Sequence, residues 1–448
     1  MSPGPSSRQR LEALLGAALR AADAGAAVRR AIETGEAGES DAAGAGQGAG
    51  LRIGGVPVAD GSPLVVLAAG KAAAAMAAAL VERVGRRVAR GLVVTKDGHG
   101  RVVPALVLRE TAHPVPDERC AAAGREALAL AATGRAHETL VVLLSGGASA
   151  LLSCPVADLT LSDLAETTAL LLASGADIHE LNAVRKHVSA VAGGRLAGAW
   201  SGGPVIVLAV SDVPGDRLDV IGSGPCSADP SRFADAWRVV ERRGLVQRLP
   251  AAVREHLRAG LGGERAENPG PGDPALARVH ARIVASNALA LAAAERAARE
   301  QGLRAAIDPA PLCGEARDAG PALLARARRA AAGGPLLWLA GGETTVRFEQ
   351  AGRGGRSQEL ALAAALAMAG DPGIALLAAG TDGSDGPTDA AGAFADGGTV
   401  ARGAARGLAA REALARHDSY TFFAAEGGLL RTGPTGTNVM DVAFVAVS

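Results

Sequence analysis

Runs of five to eight apolar residues recur along the chain, each stopping at a turn of small residues and most leading into a segment of helical periodicity. Leu64–Ala69 stops at Gly70 and precedes a predicted helix over 72–84. Residues 140–144 stop at Ser145-Gly146-Gly147, and Val205–Val210 stops at Ser211-Asp212. After residue 280 the rhythm resumes: 281–285 leads into a helix over 288–301, 336–340 stops at Gly341-Gly342-Glu343, 374–379 stops at Gly380-Thr381-Asp382, and 442–447 is a last strand. Runs that are apolar throughout, with no polar alternation, predict strands covered on both faces. With helices between them they predict parallel α/β sheets. An Ala-rich amphipathic helix over 11–32 opens the chain, and the Gly-rich stretch 35–50 predicts a flexible loop. The segment GLGGERAENPGPGDP, residues 260–274, gathers Gly and Pro while apolar residues thin out, so the boundary between two α/β lobes is placed there. The longest apolar stretch, 65–81, is interrupted by Lys71 and reads as strand, turn and helix, not as a membrane span.

Charge and composition narrow the function. Acidic and basic residues balance at 46 each, which removes the positive excess on which nucleic-acid and membrane-surface binding lean. Aromatics are 2% of the chain, too few for base-stacking platforms. Cys120, Cys154, Cys226 and Cys313 are far apart and form no CxxC, against a zinc ribbon or a redox motif. So few thiols suit a reducing cytosol, and residues 1–10 lack the apolar core of a secretory signal; a cytoplasmic location is expected. Only three basic residues are lysines, Lys71, Lys96 and Lys186, and asparagine occurs only at Asn182, Asn268, Asn287 and Asn438. In a chain that favours Arg and Ala so heavily, these residues invite a reason. Asn182, Asn287 and Asn438 are carried forward as candidate substrate or nucleotide contacts.

Several turns could carry chemistry. In LAAGKAAAAMA a strand-ending glycine is followed by Lys71 and a helix start, which supplies N–H groups and an ammonium for a phosphate or carboxylate. It is not a P-loop, because Val65 and Ala72 stand where that motif needs Gly and Ser or Thr. Ser145, Gly146, Gly147 and Ser149 form a turn whose backbone can approach an anion. Asn182 and Lys186 share a helix face. Asp212 follows a buried strand and precedes Pro214-Gly215, a position suited to a ligand hydroxyl or a metal. Gly341, Gly342 and Glu343 form a second backbone-rich turn. Arg356 follows Gly354-Gly355 at a helix start and offers a planar fork to an anion. Asp382, Asp385 and Asp389 fall within eight residues of one loop, as for a hard cation or a hydroxyl, although the twelfth position from Asp382 is Ala393, which excludes an EF-hand. No GxGxxG follows the first strand, which argues against a nicotinamide enzyme. Together the turns point to phosphoryl transfer.

The motifs GKAAAAMA, HPVPDE, LSGGASALL, LNAVRKHVSAVAGGRLA, SDVPGDRLDVIGSGP, GGRSQELAL, GTDGSDGPTDAAGA and TGPTGTNVMD, in this order across most of the chain, resemble the class II glycerate kinases, the family with a C-terminal MOFRL domain. The resemblance implies two three-layer α/β/α domains, the first with a Rossmann-like parallel sheet over 1–260, then a linker over 261–278, and a MOFRL-type domain with a mixed sheet over 279–448. It further implies an active site in the interdomain cleft and ATP- and Mg²⁺-dependent phosphorylation of D-glycerate at the 2-hydroxyl. Lys71 then looks like the lysine of the family's GKA motif, Asp212 like the aspartate of SDVPGD, and Arg356 like the arginine of GGRNQE. On that pattern backbone N–H groups and Arg356 or a neighbour take the substrate carboxylate, an aspartate, Asp212 by preference, orients the 2-hydroxyl, and Lys71 with Mg²⁺ spreads the charge on the transferring phosphoryl group. Asp382, Asp385 and Asp389 remain alternatives for the metal, and monomer and homodimer both stay open. Ser357 stands where the family usually has Asn, which bears on one polar contact near Arg356, and Ala192 stands in place of a common Lys. The rival functions are an NAD(P)H-dependent hydroxypyruvate reductase and a two-lobed hydroxy-acid binding protein.

Overall fold

The computed structural model describes residues 6–34, 50–348 and 352–448; the expected loop 35–50 lies, except for its last residue, outside the described residues. The chain forms two compact units. One is Ala24–Val284; the other joins Ala285–Ser448 to the helix Ser7–Ala22.

The first unit is built on a six-stranded sheet. Its spatial order is Val107–Thr111, Val88–Lys96, Leu64–Ala69, Thr139–Leu144, Val205–Val210 and Val279–Ala285. The first five run parallel. Numbered along the chain within this sheet, the order is 3-2-1-4-5-6, that of a Rossmann-type doubly wound fold. The central strands LVVLAA, TLVVLL and VIVLAV are buried at every residue, the structural counterpart of their uninterrupted apolar runs.

The second unit has a mixed sheet, ordered Ala305–Ile307, Leu336–Gly342, Asp441–Val447, Ile374–Gly380, Gly392–Asp396 and Leu429–Leu430. Asp441–Val447 runs antiparallel to both neighbours, so Gly342 and Gly380 each pair with Asp441. Three chemically distinctive positions are thereby aligned across the middle of the sheet.

The structure redraws two boundaries. Residues 279–284, expected in the second domain, complete the first sheet. The opening helix, expected in the first domain, belongs with the second unit. It buries Leu11, Leu14 and Leu15 and packs on the helix Asn287–Glu300. It also ends sooner than the periodicity suggested, at Ala22, with a separate helix over Ala24–Arg30. The expected linker 261–278 is tied to the first unit: Glu267 accepts the Phe233 N–H, and the buried Asn268 donates to Asp229 over 2.7 Å. Among the described residues no helix is long and apolar enough to cross a membrane.

Candidate functional site

In the first unit the order of strands reverses between Leu64–Ala69 and Thr139–Leu144. Crossovers leave these two strands in opposite directions and open a crevice at their C-terminal ends, where doubly wound sheets bind ligands. The Gly70-Lys71 and Ser145-Gly146-Gly147 turns both lie there. They are laced together: the Lys71 N–H donates to Gly146 O at 2.9 Å, and the Ala72 N–H donates to the Ser145 hydroxyl at 3.0 Å. Gly70 has φ +125°, and a Cβ there would overlap Ser145, so glycine is required for the approach.

Three polar side chains meet around the second turn. A Cβ on Gly147, at φ +88°, would lie 3.1 Å from the His113 ring and 3.4 Å from Lys71 Cγ. A Cβ on Gly146 would overlap the Asp212 carboxylate, which arrives from the end of the next strand. Lys71 and Asp212 are thus brought to one turn. His113, inside the HPVPDE motif, was not singled out. Burial, and then the charges of Lys71, Lys96 and His99, push its pKa down to about 4, so the ring is neutral at physiological pH. A ring that stays neutral beside an ammonium is available as a hydrogen-bond acceptor.

The helix Ile178–His187 carries the other first-unit candidates. Lys186 is buried, and its ammonium pairs with Asp219 at 3.3 Å and Asp229 at 3.4 Å, so its charge is used within the protein. Asn182 is also buried and accepts from the Ser223 hydroxyl at 3.2 Å. Ser149 bonds Ser223 at 3.1 Å and accepts from Arg185, a residue that the sequence reading passed over in favour of its neighbour.

The second unit gathers a separate polar cluster where Leu336–Gly342 and Ile374–Gly380 end. Arg356 opens the helix Arg356–Ala367 and lays its fork on Asp441, with Nε 2.5 Å from one carboxylate oxygen and the second contact at 3.0 Å. Its remaining nitrogen pairs with the solvent-facing Glu343 at 2.7 Å. Burial works against the charge of Arg356, but the Asp441 hydrogen bond and the charges of Asp441, Glu343 and Asp385 raise its pKa above the ordinary value. Burial lifts the Asp441 carboxyl to about 6 although Arg356 pulls the other way; Asp385 and Glu343 reinforce the rise. Asp441 was missed because only the fold brings it to Arg356, 85 residues earlier in the chain. The one local signal was a carboxylate at the entrance of an apolar strand.

The other second-unit candidates divide by role. Asn287 sits against Gly341 and donates to Val439 O and Asp441 O at 2.8 and 2.9 Å, bracing the strand entrance. Asn438 accepts the Met440 N–H at 3.1 Å within its own turn. Asp385 caps the Arg356 helix by accepting the N–H groups of Ser357 and Gln358 at 3.0 and 2.8 Å. Asp389 is engaged by Tyr420 and Arg431. Among the described residues Asp382 accepts from the Ser384 N–H and hydroxyl through Oδ1, and that oxygen would lie 3.3 Å from a Cβ on Gly380, with Asp441 Oδ1 at 3.5 Å. Among the described residues no three His, Cys, Asp or Glu side chains gather to hold a metal. A Mg²⁺ ion at this loop would therefore draw on Asp382 and complete its shell with phosphate and water oxygens, its usual habit.

Comparison with known proteins adds an independent line. Residues 10–258 match the family model described as Domain of unknown function (DUF4147), and residues 336–441 match the MOFRL family. The chain is 41% identical to a glycerate 2-kinase of Pyrococcus horikoshii, over 86% of this chain and 87% of the other. It is 39% identical to a D-glycerate 2-kinase of Thermotoga maritima, over 85% and 89%. A protein of Agrobacterium vitis that carries a provisional hydroxypyruvate reductase name is 42% identical over 86% and 87%. The crystal structure of a Thermotoga maritima glycerate kinase superposes with a TM-score of 0.85 at 34% identity, covering 98% of this chain and 99% of that one.

Proposed function

The chain belongs to the class II glycerate kinase family with a C-terminal MOFRL domain, and on that premise we propose how it works as an ATP-dependent kinase. Its reaction is the phosphorylation of D-glycerate at the 2-hydroxyl, giving 2-phosphoglycerate. The observation that carries the mechanism is the meeting of Lys71, His113 and Asp212 around the Ser145-Gly146-Gly147 turn, at the switch point of the first sheet.

The Asp212 carboxylate orients the attacking hydroxyl and receives its proton as the O–P bond forms. Lys71 balances charge on the phosphoryl oxygens while they leave ADP. The neutral His113 ring holds the lysine or the acceptor in place without adding repulsion. Phosphoryl transfer asks little covalent chemistry of a protein, so positioning and electrostatics of this kind supply most of the acceleration. In the second unit we assign Arg356 to an anionic group of the reactants. Asp441 fixes the plane of its fork, and the Glu343 contact is the one an incoming carboxylate would replace. Mg²⁺, when bound through Asp382, neutralises phosphate charge.

The test is direct. Protein incubated with ATP, Mg²⁺ and D-glycerate should yield ADP and 2-phosphoglycerate, the isomer identified by ³¹P NMR. ADP should not form without the hydroxy acid, and NADH should not be consumed with hydroxypyruvate. Vigorous hydride transfer by the pure protein would replace this reading with the reductase one.

A further inference from the structure

Arg185 and Lys186 are neighbours on one helix, and the structure treats their charges in opposite ways. Lys186 has two aspartates. The Arg185 guanidinium bonds only the Ser149 hydroxyl among the described side chains; burial lowers its pKa, and no opposite charge lifts it back. Arg185 is half-buried, and a cation withdrawn that far from water without a counter-ion is costly unless something supplies the anion. One turn earlier on the same helix, the buried Asn182 gives its oxygen to Ser223 while its Nδ2 meets no acceptor. Arg185, Asn182, Ser149 and Ser223 form a linked set with donors to spare.

Arg185, Ser149 and Ser223 line a cavity of about 760 Å³. Its walls are otherwise largely aliphatic, with Leu161, Leu164 and Leu172 from one helix facing Val188 and Val191. At one end it reaches Gly147 and His113, the same turn on which Lys71 stands. A three-carbon acid bearing two hydroxyls and a carboxylate is too small for this volume and would leave its polar groups against leucines. A nucleotide matches both parts: a flat base and ribose for the aliphatic walls, and phosphate oxygens for the unpaired donors. We propose that this cavity holds the nucleotide of the kinase reaction, with Arg185 on a phosphate oxygen. The assignment rests on the ATP-dependent reading above and says where in the first unit the nucleotide is held.

ADP binding by equilibrium dialysis, and KM for ATP and for D-glycerate, should be measured for wild type, Arg185→Met, Arg185→Lys and Ala169→Phe, with a melting curve for each. A lost charge-assisted hydrogen bond should weaken ADP binding by about 10- to 100-fold in Arg185→Met. KM for ATP should rise in parallel while KM for D-glycerate moves less than about twofold, and Arg185→Lys should recover only part of the loss because it cannot fork. Ala169→Phe narrows the cavity without touching Arg185 and should weaken ADP in the same way, which keeps the test valid if Arg185→Met folds poorly. If the wild type phosphorylates D-glycerate and folded variants bind ADP normally, the cavity assignment falls alone. A rise confined to KM for D-glycerate would hand the cavity to the acid. If the wild type binds no adenine nucleotide, the kinase reading falls with it.

Discussion

Lys71 stands where arginine, so common elsewhere in this chain, is absent. Its Cγ is packed near Gly147 between two laced turns, a space that suits a compact ammonium better than a guanidinium fork. Lys71→Ala and Lys71→Arg should each lower kcat by on the order of 10²–10³, as when a charge-stabilising donor is removed from a transition state. Melting temperatures should barely change. Wild-type turnover in Lys71→Arg would move the phosphoryl contact elsewhere. Asp441 supports a second prediction. With its carboxyl near 6, acidification below that value protonates the anion on which the Arg356 fork rests. The rate should therefore fall on the acid side with an apparent pKa near 6. Asp441→Asn should be slower at pH 8 but should lack that acid limb. A limb unchanged in Asp441→Asn would assign it to another group.

At the scale of elements, the two glycine turns hold the site together, and Gly146 tests this cleanly. Its φ is not in the left-handed region, so alanine suits the backbone, and the added methyl would meet only the Asp212 carboxylate at close range. Gly146→Ala should leave the fold intact and cost about 10²-fold in kcat, the effect of displacing one catalytic group by roughly an ångström; circular dichroism beside steady-state rates checks both halves. The buried strands were legible because being covered on both faces demands continuous apolar sequence. Val88–Lys96 and Val107–Thr111 were not: the first carries Arg90 and Gly91, and the second is a largely exposed edge strand reading VLRET. The places of Lys71 and Asp212 in the fold were legible because each comes two residues after the end of a buried strand. Arg185 was hidden by Lys186, since a sequence shows two cations side by side but not which of them has aspartates folded onto it. Asp382, Asp385 and Asp389 look equivalent as text, and only tertiary contacts separate a helix cap and a tyrosine partner from the carboxylate with an oxygen to spare.

For the whole molecule, His113 links the site to acid tolerance. Its folded pKa of about 4 lies below the ordinary histidine value of 6.5, so the unfolded chain takes up a proton that the folded one refuses. The stability it contributes is complete above pH 6.5 and is lost as pH falls from there toward 4. Melting temperature should decline over that window in the wild type and decline less in His113→Gln. Equal slopes for both would place the acid sensitivity in other groups.

The helix Ser7–Ala22 has a consequence in time. A ribosome makes it well before its partner Asn287–Glu300, which emerges some 270 residues later, a wait on the order of tens of seconds at ordinary elongation rates. The strand Asp441–Val447, which occupies the middle of the same unit's sheet, comes later still. While Ala24–Val284 can assemble as soon as it is made, Leu11, Leu14 and Leu15 spend that interval uncovered on the nascent chain. The opening helix is therefore among the last pieces of its unit to find its place.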